Sequence, residues 1–306
     1  MLTAVEQVLP ESLIKMLKRV RAEFYVTVLA YPHALEPGSV LYKICDELDC
    51  RRTNDIDAKA DVIIHWEDRS FRQAPAVLEE RNRHQKVLNL QCKDISKRRV
   101  DEVHQAIFGY RLAIDPLRHR GRCVKKSNEN ATHDGTIVEC PIVERDDASV
   151  YQKEVNNRID DHCIEDIRVP VFGPVIPFCY RKRRPIVSRF SNENTSASLC
   201  EVKTVLSGGE VQQILAFSDA MGLDYGELDV LRDKDDGRLY VVDVNNTPWG
   251  PPNHLDRASL PAALQRLSQA FVSAFLQPNR LDTWPRRLLS RSRTAPGPLP
   301  DSHPRN

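Results

Sequence analysis

The chain has 306 residues, of which 41% are hydrophobic and 28% charged, the composition of an ordinary soluble globular protein. Lys and Arg number 44 against 43 Asp and Glu, a net charge of +1, so no global field favours nucleic acid or an anionic membrane. No apolar run approaches the ~20 residues of a transmembrane helix, and the first residues carry neither the basic nor the apolar region of a signal peptide.

In chain order, residues 1–22 read as a short amphipathic helix with Leu13, Ile14, Leu17 and Val20 on one face. Residues 23–92 alternate strand and helix. Strands are expected at 24–30, 60–66 and 86–90, with one helix opened by Pro37-Gly38 and another over 75–83. Such alternation predicts a small parallel α/β sheet. A helix follows over 95–108 and ends at Gly109, a suitable C-cap. From Arg122 strand-like segments dominate, at 122–126, 136–140, 149–155, 167–171, 175–180 and 199–206. Polar turns separate them, which suits antiparallel pairing. A helix over 210–221 leads into strands at 225–232 and 238–244, joined by the hairpin signal Asp236-Gly237. A last amphipathic helix covers 259–276. The Pro-, Arg- and Ser-rich residues 278–306 are expected to form a free tail, and removal of residues 290–306 is expected to leave stability and activity unchanged. The eight cysteines form no CxxC pair, which predicts reduced thiols in a cytoplasmic protein.

The densest chemistry lies in the final hairpin. Asp243 and Asn245 are two residues apart on one strand, so both side chains share a face, with Val242 and Val244 turned to the other. Asp229 on the preceding strand would add a third hard oxygen ligand, a set that suits Mg²⁺ held between protein and phosphates. A solvated strand face with alternating polar residues has the same spacing. The run Arg181, Lys182, Arg183, Arg184, with Arg189, is either an anion site or a wet loop. It lacks the interleaved aromatics of a nucleic-acid surface.

Residues 226–231 and 237–248, ending in Asp243-Val244-Asn245-Asn246-Thr247-Pro248, resemble the closing motif of the ATP-grasp superfamily, of the glutathione synthetase and RimK type. Other segments are similar to that family's parts in the same order, over roughly residues 23–275. The resemblance implies a small leading parallel α/β domain (23–110) followed by two α+β lobes (111–277) enclosing a nucleotide site. It implies ATP and Mg²⁺, with Mn²⁺ as the alternative ion, and a metal held by Asp229, Asp243 and Asn245. Lys125 or its neighbour Lys126 would reach the phosphates; strand alternation lets only one face the nucleotide. Gln152, Lys153, Glu154 and Val155 would form the hinge strand that reads adenine. Asp166 and Arg168 would form the paired strand beside it, and Arg181 the phosphate-side arginine. The implied activity is an ATP-dependent ligase. It would join a small-molecule or peptide carboxylate to an amine or thiol, with no nucleic acid or membrane partner and an oligomeric state left open. A small-molecule kinase, or a nucleotide-binding protein without turnover, would use the same site.

Two departures stand out. The family's glycine-rich phosphate loop is replaced by residues 127–135, where only Gly135 is a glycine. Side chains such as His133 would then donate to phosphate in place of backbone amides, unless the segment is an ordinary polar turn. Asp243 stands where Glu is commoner. Residues 191–198 are expected to form a flexible substrate-side lid.

Overall fold

The computed structural model describes residues 25–191 and 193–276. The expected helix at 1–22 and the expected tail at 278–306 lie outside the described residues. Three sheets carry the fold. The first is parallel and four-stranded, in the order β2-β1-β3-β4, built from β1 (Thr27–Pro32), β2 (Arg51–Thr53), β3 (Val62–Trp66) and β4 (Val87–Leu88). Every residue of β3 is buried, as expected for a strand covered on both faces. Helix α1 (Val40–Glu47) packs on it through Val40, Leu41, Ile44 and Cys45; Ser39 Oγ caps the helix by accepting from Tyr42 N at 3.2 Å. Two more helices follow, α2 (Ala76–Asn82) and α3 (Lys97–Phe108), the latter ending at Gly109 with φ 81°. β2 had no sequence signal, because a short strand of Arg, Arg and Thr at a sheet edge shows no apolar alternation. β4 is two residues long rather than five. The chain turns at Asn89, φ 58°, whose side-chain oxygen accepts from the Asp224 and Tyr225 amides at 2.9 Å and so ties this sheet to the next.

The second sheet is antiparallel, β6-β5-β7, from β5 (Gly121–Ser127), β6 (Thr136–Cys140) and β7 (Ser149–Lys153). The third runs β10-β9-β8-β11-β12, from β8 (Cys163–Phe172), β9 (Cys179–Pro185), β10 (Ser196–Cys200), β11 (Tyr225–Arg232) and β12 (Leu239–Asn245). One turn of helix, α4 (Val202–Val205), replaces the end of the strand expected over 199–206. Helix α5 (Gly208–Ala220) begins with a full capping box between Ser207 and Glu210. Helix α6 (Ser259–Phe275) closes the described chain. No helix among the described residues is long and apolar enough to cross a membrane.

The five-stranded sheet has two unlike faces, and period-two alternation separates them. Ile167, Val169, Val171, Leu228, Val230 and Val244 are buried in a core shared with α3 and α5. Burying such side chains contributes about 1.5–3 kcal/mol each. The alternate residues, Asp166, Arg168, Lys182, Arg184, Asp229 and Asp243, line a cavity on the opposite face.

Candidate active site

The cavity has a volume of about 600 Å³ and lies between the second and third sheets, with segments 38–43 and 247–253 at one end. That is ample for a nucleotide-sized ligand. Three neighbouring strands build its floor in register: Arg168 on β8 faces Asp229 on β11, which faces Asp243 on β12. The Asp229 carboxylate takes a bidentate guanidinium, with Arg168 Nε on Oδ1 and Nη2 on Oδ2, each at 3.0 Å, and Lys182 Nζ on Oδ1 at 2.7 Å. Burial alone would raise the Asp229 pKa, but Arg168 and Lys182 outweigh it and hold the group well below the usual carboxylate range. Arg168 also lies 3.5 Å from Glu227, which burial pushes up to about 7 against the pull of Arg168.

Asp243 is less encumbered. Its Oδ1 accepts from Lys97 Nζ at 2.6 Å and from the Val244 amide at 2.9 Å. Its Oδ2, and the side chain of Asn245, accept no hydrogen bond among the described residues, and both residues face the cavity. Two oxygen donors two residues apart fit magnesium, which keeps water and phosphate oxygens for its remaining positions. Asp229 fits less well, since both of its oxygens already hold protein cations. No group of three acidic, His or Cys side chains suited to a metal occurs among the described residues.

Val242 corrects the expected face alternation. Between Asp229↔Asp243 and Val230↔Val241 the register slips by one residue, so Val242 is an inserted bulge residue. It lines the cavity, packing near Leu112 and Val155, while only Val244 enters the core.

The two lysines of β5 separate as alternation requires. Lys126 lines the cavity, and burial, followed by the nearby Lys97, pushes its pKa down to about 8. Lys125 lies outside it and pairs with Asp146 at 2.9 Å. Of the two, it is Lys126 that faces the cavity. Arg181 is displaced for the same reason. It sits opposite Ile167 on the core-side face and pairs with Glu165 at 3.5 Å; Lys182 and Arg184, on the other phase of β9, face the cavity. Asp166 also lines it, held by Arg184 and by Asn157 at 2.9 Å.

The hinge strand contributes unevenly. Gln152 is buried and lines the cavity, as does Val155 beside Leu112. Lys153 lines it too, but its ammonium is bound to Asp233 and Asp236, both at 2.7 Å. The Glu154 side chain turns away to Arg122 and Arg189.

The loop that replaces the glycine-rich segment is pinned. Lys97 N donates to Asn128 O at 3.0 Å and Asn130 N to Ser70 Oγ at 2.6 Å. Lys97 Nζ binds Asn130 Oδ1 at 2.7 Å, and Asn130 Nδ2 reaches Val244 O at 3.2 Å. His133 lines the cavity. Gly135 is required by packing: a Cβ there would lie 2.4 Å from the Phe190 ring. Lys97 carries much of this geometry and was not singled out from sequence; Lys182 and Arg184 were read there only as members of the basic run that is an anion site or a wet loop, and Asn130 only as part of the 127–135 loop. For Lys97 the only signal is its place just after the Ser96 cap, at the start of α3.

No protein-family model and no curated protein matches the sequence. Solved structures do match. The chain is similar to the ATP-grasp ligase PsnB, complexed with a phosphomimetic variant of a minimal precursor, Mg and ADP. The TM-score is 0.54 at 13% identity, over 82% of this chain and 98% of that one. It is also similar to D-alanine–D-alanine ligase from Bacillus anthracis complexed with ATP, with TM-score 0.51 and 16% identity over 84% and 98% of the two chains. The same ligase in a second structure gives a TM-score of 0.52 at 15% identity, with the same coverage. A parallel leading sheet, two antiparallel sheets enclosing a charged cavity, and these full-length matches identify the chain as a protein of the ATP-grasp fold.

Proposed function

We propose that the protein is an ATP- and magnesium-dependent ligase that activates a carboxylate as an acyl phosphate and joins it to an amine or thiol. The observation that carries this is one cavity with two kinds of wall. Leu112, Val155, Ile164, Leu231 and Val242 offer an apolar slot suited to a purine. Lys126, Lys97, Asp243 and Asn245 gather charge beside it. Phosphoryl transfer needs positioning and charge neutralisation more than covalent help. Lys126 would hold phosphate oxygens as a point charge. Lys97 would orient Asp243, and Asp243 with Asn245 would hold magnesium, which when bound neutralises the phosphates. Arg168 and Lys182, locked on Asp229, would present fixed positive charge where it develops in the transition state.

In the proposed reaction a carboxylate oxygen attacks the γ-phosphorus and ADP leaves. The nucleophile then attacks the acyl carbon, and phosphate leaves with that oxygen. The test is isotopic. The protein is incubated with ATP, Mg²⁺ and ¹⁸O-labelled carboxylates with pooled amines and thiols. Label in the released phosphate together with a new amide or thioester supports the ligase. A phosphorylated product would assign a kinase instead, and bound but unconsumed ATP would sink the enzymatic reading. The pinned, glycine-poor loop favours that last alternative most directly.

A further inference from the structure

One end of the cavity is built by two segments distant in sequence. Residues 248–250 pair with residues 38–40, the loop that enters α1 and the first residue of that helix. Val40 N donates to Pro248 O at 2.9 Å, Gly250 N donates to Gly38 O at 3.2 Å, and Ser39 bridges Trp249 antiparallel. The Trp249 ring lies directly on Gly38, where a Cβ would come within 1.8 Å of the ring. Yet Trp249 is 54% exposed and lines the cavity. A large apolar ring is thus laid across the substrate end instead of being packed into a core.

Lys43, from α1, enters this end. Its ammonium donates to the Gly250 carbonyl, and it pairs with no carboxylate among the described residues. Burial lowers its pKa. Most other cavity cations are committed: Lys97 to Asp243, Arg168 and Lys182 to Asp229, Arg184 to Asp166, Lys153 to Asp233 and Asp236, and Arg189 to Glu154. Lys126, on β5, and Lys43, on α1, remain. A second polar group points the same way. Asn194, 8% exposed, lines the cavity, and its Oδ1 has no hydrogen-bond partner. It lies just ahead of Ala197, whose amide donates to His254 O at 3.2 Å beside the same 247–253 segment. An ammonium without a carboxylate partner, an orphaned amide oxygen and an exposed indole line the same cavity, and offer it one anion receptor, one acceptor and one apolar shelf.

We propose that this end selects a substrate that carries, besides its reacting group, a separate anionic carboxylate held by Lys43, with its body on Trp249 and a donor N–H directed to Asn194. The inference rests on the ligase reading for the substrate's fate, but binding tests it without turnover. The full chain, saturated with ADP and Mg²⁺, is titrated by calorimetry with glutarate, L-glutamate and L-alanyl-L-alanine. Each is run beside the matched compound whose far carboxylate is an amide. The expected result is that at least one carboxylate binds and its amide does not. Lys43→Met should weaken that binding at least about tenfold, as loss of a charge-assisted contact does, and Lys43→Arg should retain it. ADP affinity should be unchanged in both variants, which shows that they fold. Gly38→Ala, which displaces the indole, should weaken the same ligand. Equal binding of acid and amide, carboxylate binding indifferent to Lys43→Met, or binding of none of the acids overturns the proposal. Failure of the ligase reading is separate: ADP and a carboxylate bind, but no phosphate is released with any nucleophile.

Discussion

Asp229 and Asp243 face each other across two strands, yet their surroundings differ. Asp229 is closed by Arg168 and Lys182, so charge is balanced inside the protein. Asp243 sits at the edge strand with one lysine on Oδ1, while its Oδ2 accepts no hydrogen bond among the described residues and is left open to a ligand. The contrast teaches that two carboxylates of one apparent motif divide the labour. On the proposed reading, one fixes the floor of the site, and the other is left to engage a ligand.

The largest expected effect tests the open carboxylate. Asp243→Asn keeps the shape of the side chain and removes its charge at a position that is partly exposed. Turnover measured as ADP formation at saturating Mg²⁺ should fall at least about a hundredfold, as when a charge-stabilising group is lost. The melting temperature should stay close to that of the parent. Undiminished turnover would remove Asp243 from the site.

Asp229 should behave in the opposite way. Asp229→Ala leaves the Arg168 and Lys182 charges without their counter-ion, and breaking a buried pair from one side costs about 3–5 kcal/mol. Urea unfolding should show a loss at the lower end of that range, because the carboxylate keeps 22% exposure. If Asp229→Ala proved as stable as Asp243→Asn, the division of labour would be wrong.

These same strands show what was legible in the sequence. β11 could be read to the residue and its hairpin partner to within one residue, because apolar alternation and Asp236-Gly237 agree on where the strands turn. The bulge at Val242 could not, since an inserted valine in a valine-rich strand leaves the apolar pattern intact. The phase of β5 was left open, and that of β9 was misplaced, for a related reason. Lys125-Lys126 and residues 181–184 are charged at every position, so alternation has nothing to act on, and only cross-strand pairing decides which side chain turns inward. The leading sheet was legible because buried parallel strands are uniformly apolar, apart from the polar edge strand β2. Lys97 was not, because a lysine after a helix cap is ordinarily solvated, and its burial depends on a loop 30 residues later.

The β5 pair offers a smaller, internal test. Lys126→Met should lose at least tenfold in ADP affinity, about 1.4 kcal/mol, while Lys125→Met, whose ammonium pairs with the partly exposed Asp146 outside the cavity, should be nearly silent. Fluorescence titration with an ADP analogue reads both. Equal losses would mean that β5 twists enough for both side chains to reach the nucleotide.

The smallest effect follows from the titration of Lys126. Burial, and then Lys97, lower its pKa to about 8 in the folded protein, against roughly 10.4 in an unfolded chain. Between those values the unfolded chain binds the extra proton, so this residue makes the free protein more stable as pH rises from 8 towards 10. Nucleotide binding must move the other way, because the phosphates select the protonated ammonium. If only that form binds, the dissociation constant for ADP should rise by up to about tenfold between pH 7 and 9, by the same linkage. Lys126→Arg keeps its charge throughout this range, since guanidinium pKa values exceed 12, and should flatten the profile. The measurement is ADP affinity at fixed ionic strength and Mg²⁺ across that interval, on parent and variant. A slope that persists in Lys126→Arg would assign the titration to another group. A flat parent would mean that the ammonium keeps its proton through contact with Asp243, and would draw the two halves of the site closer than their separate pairings suggest.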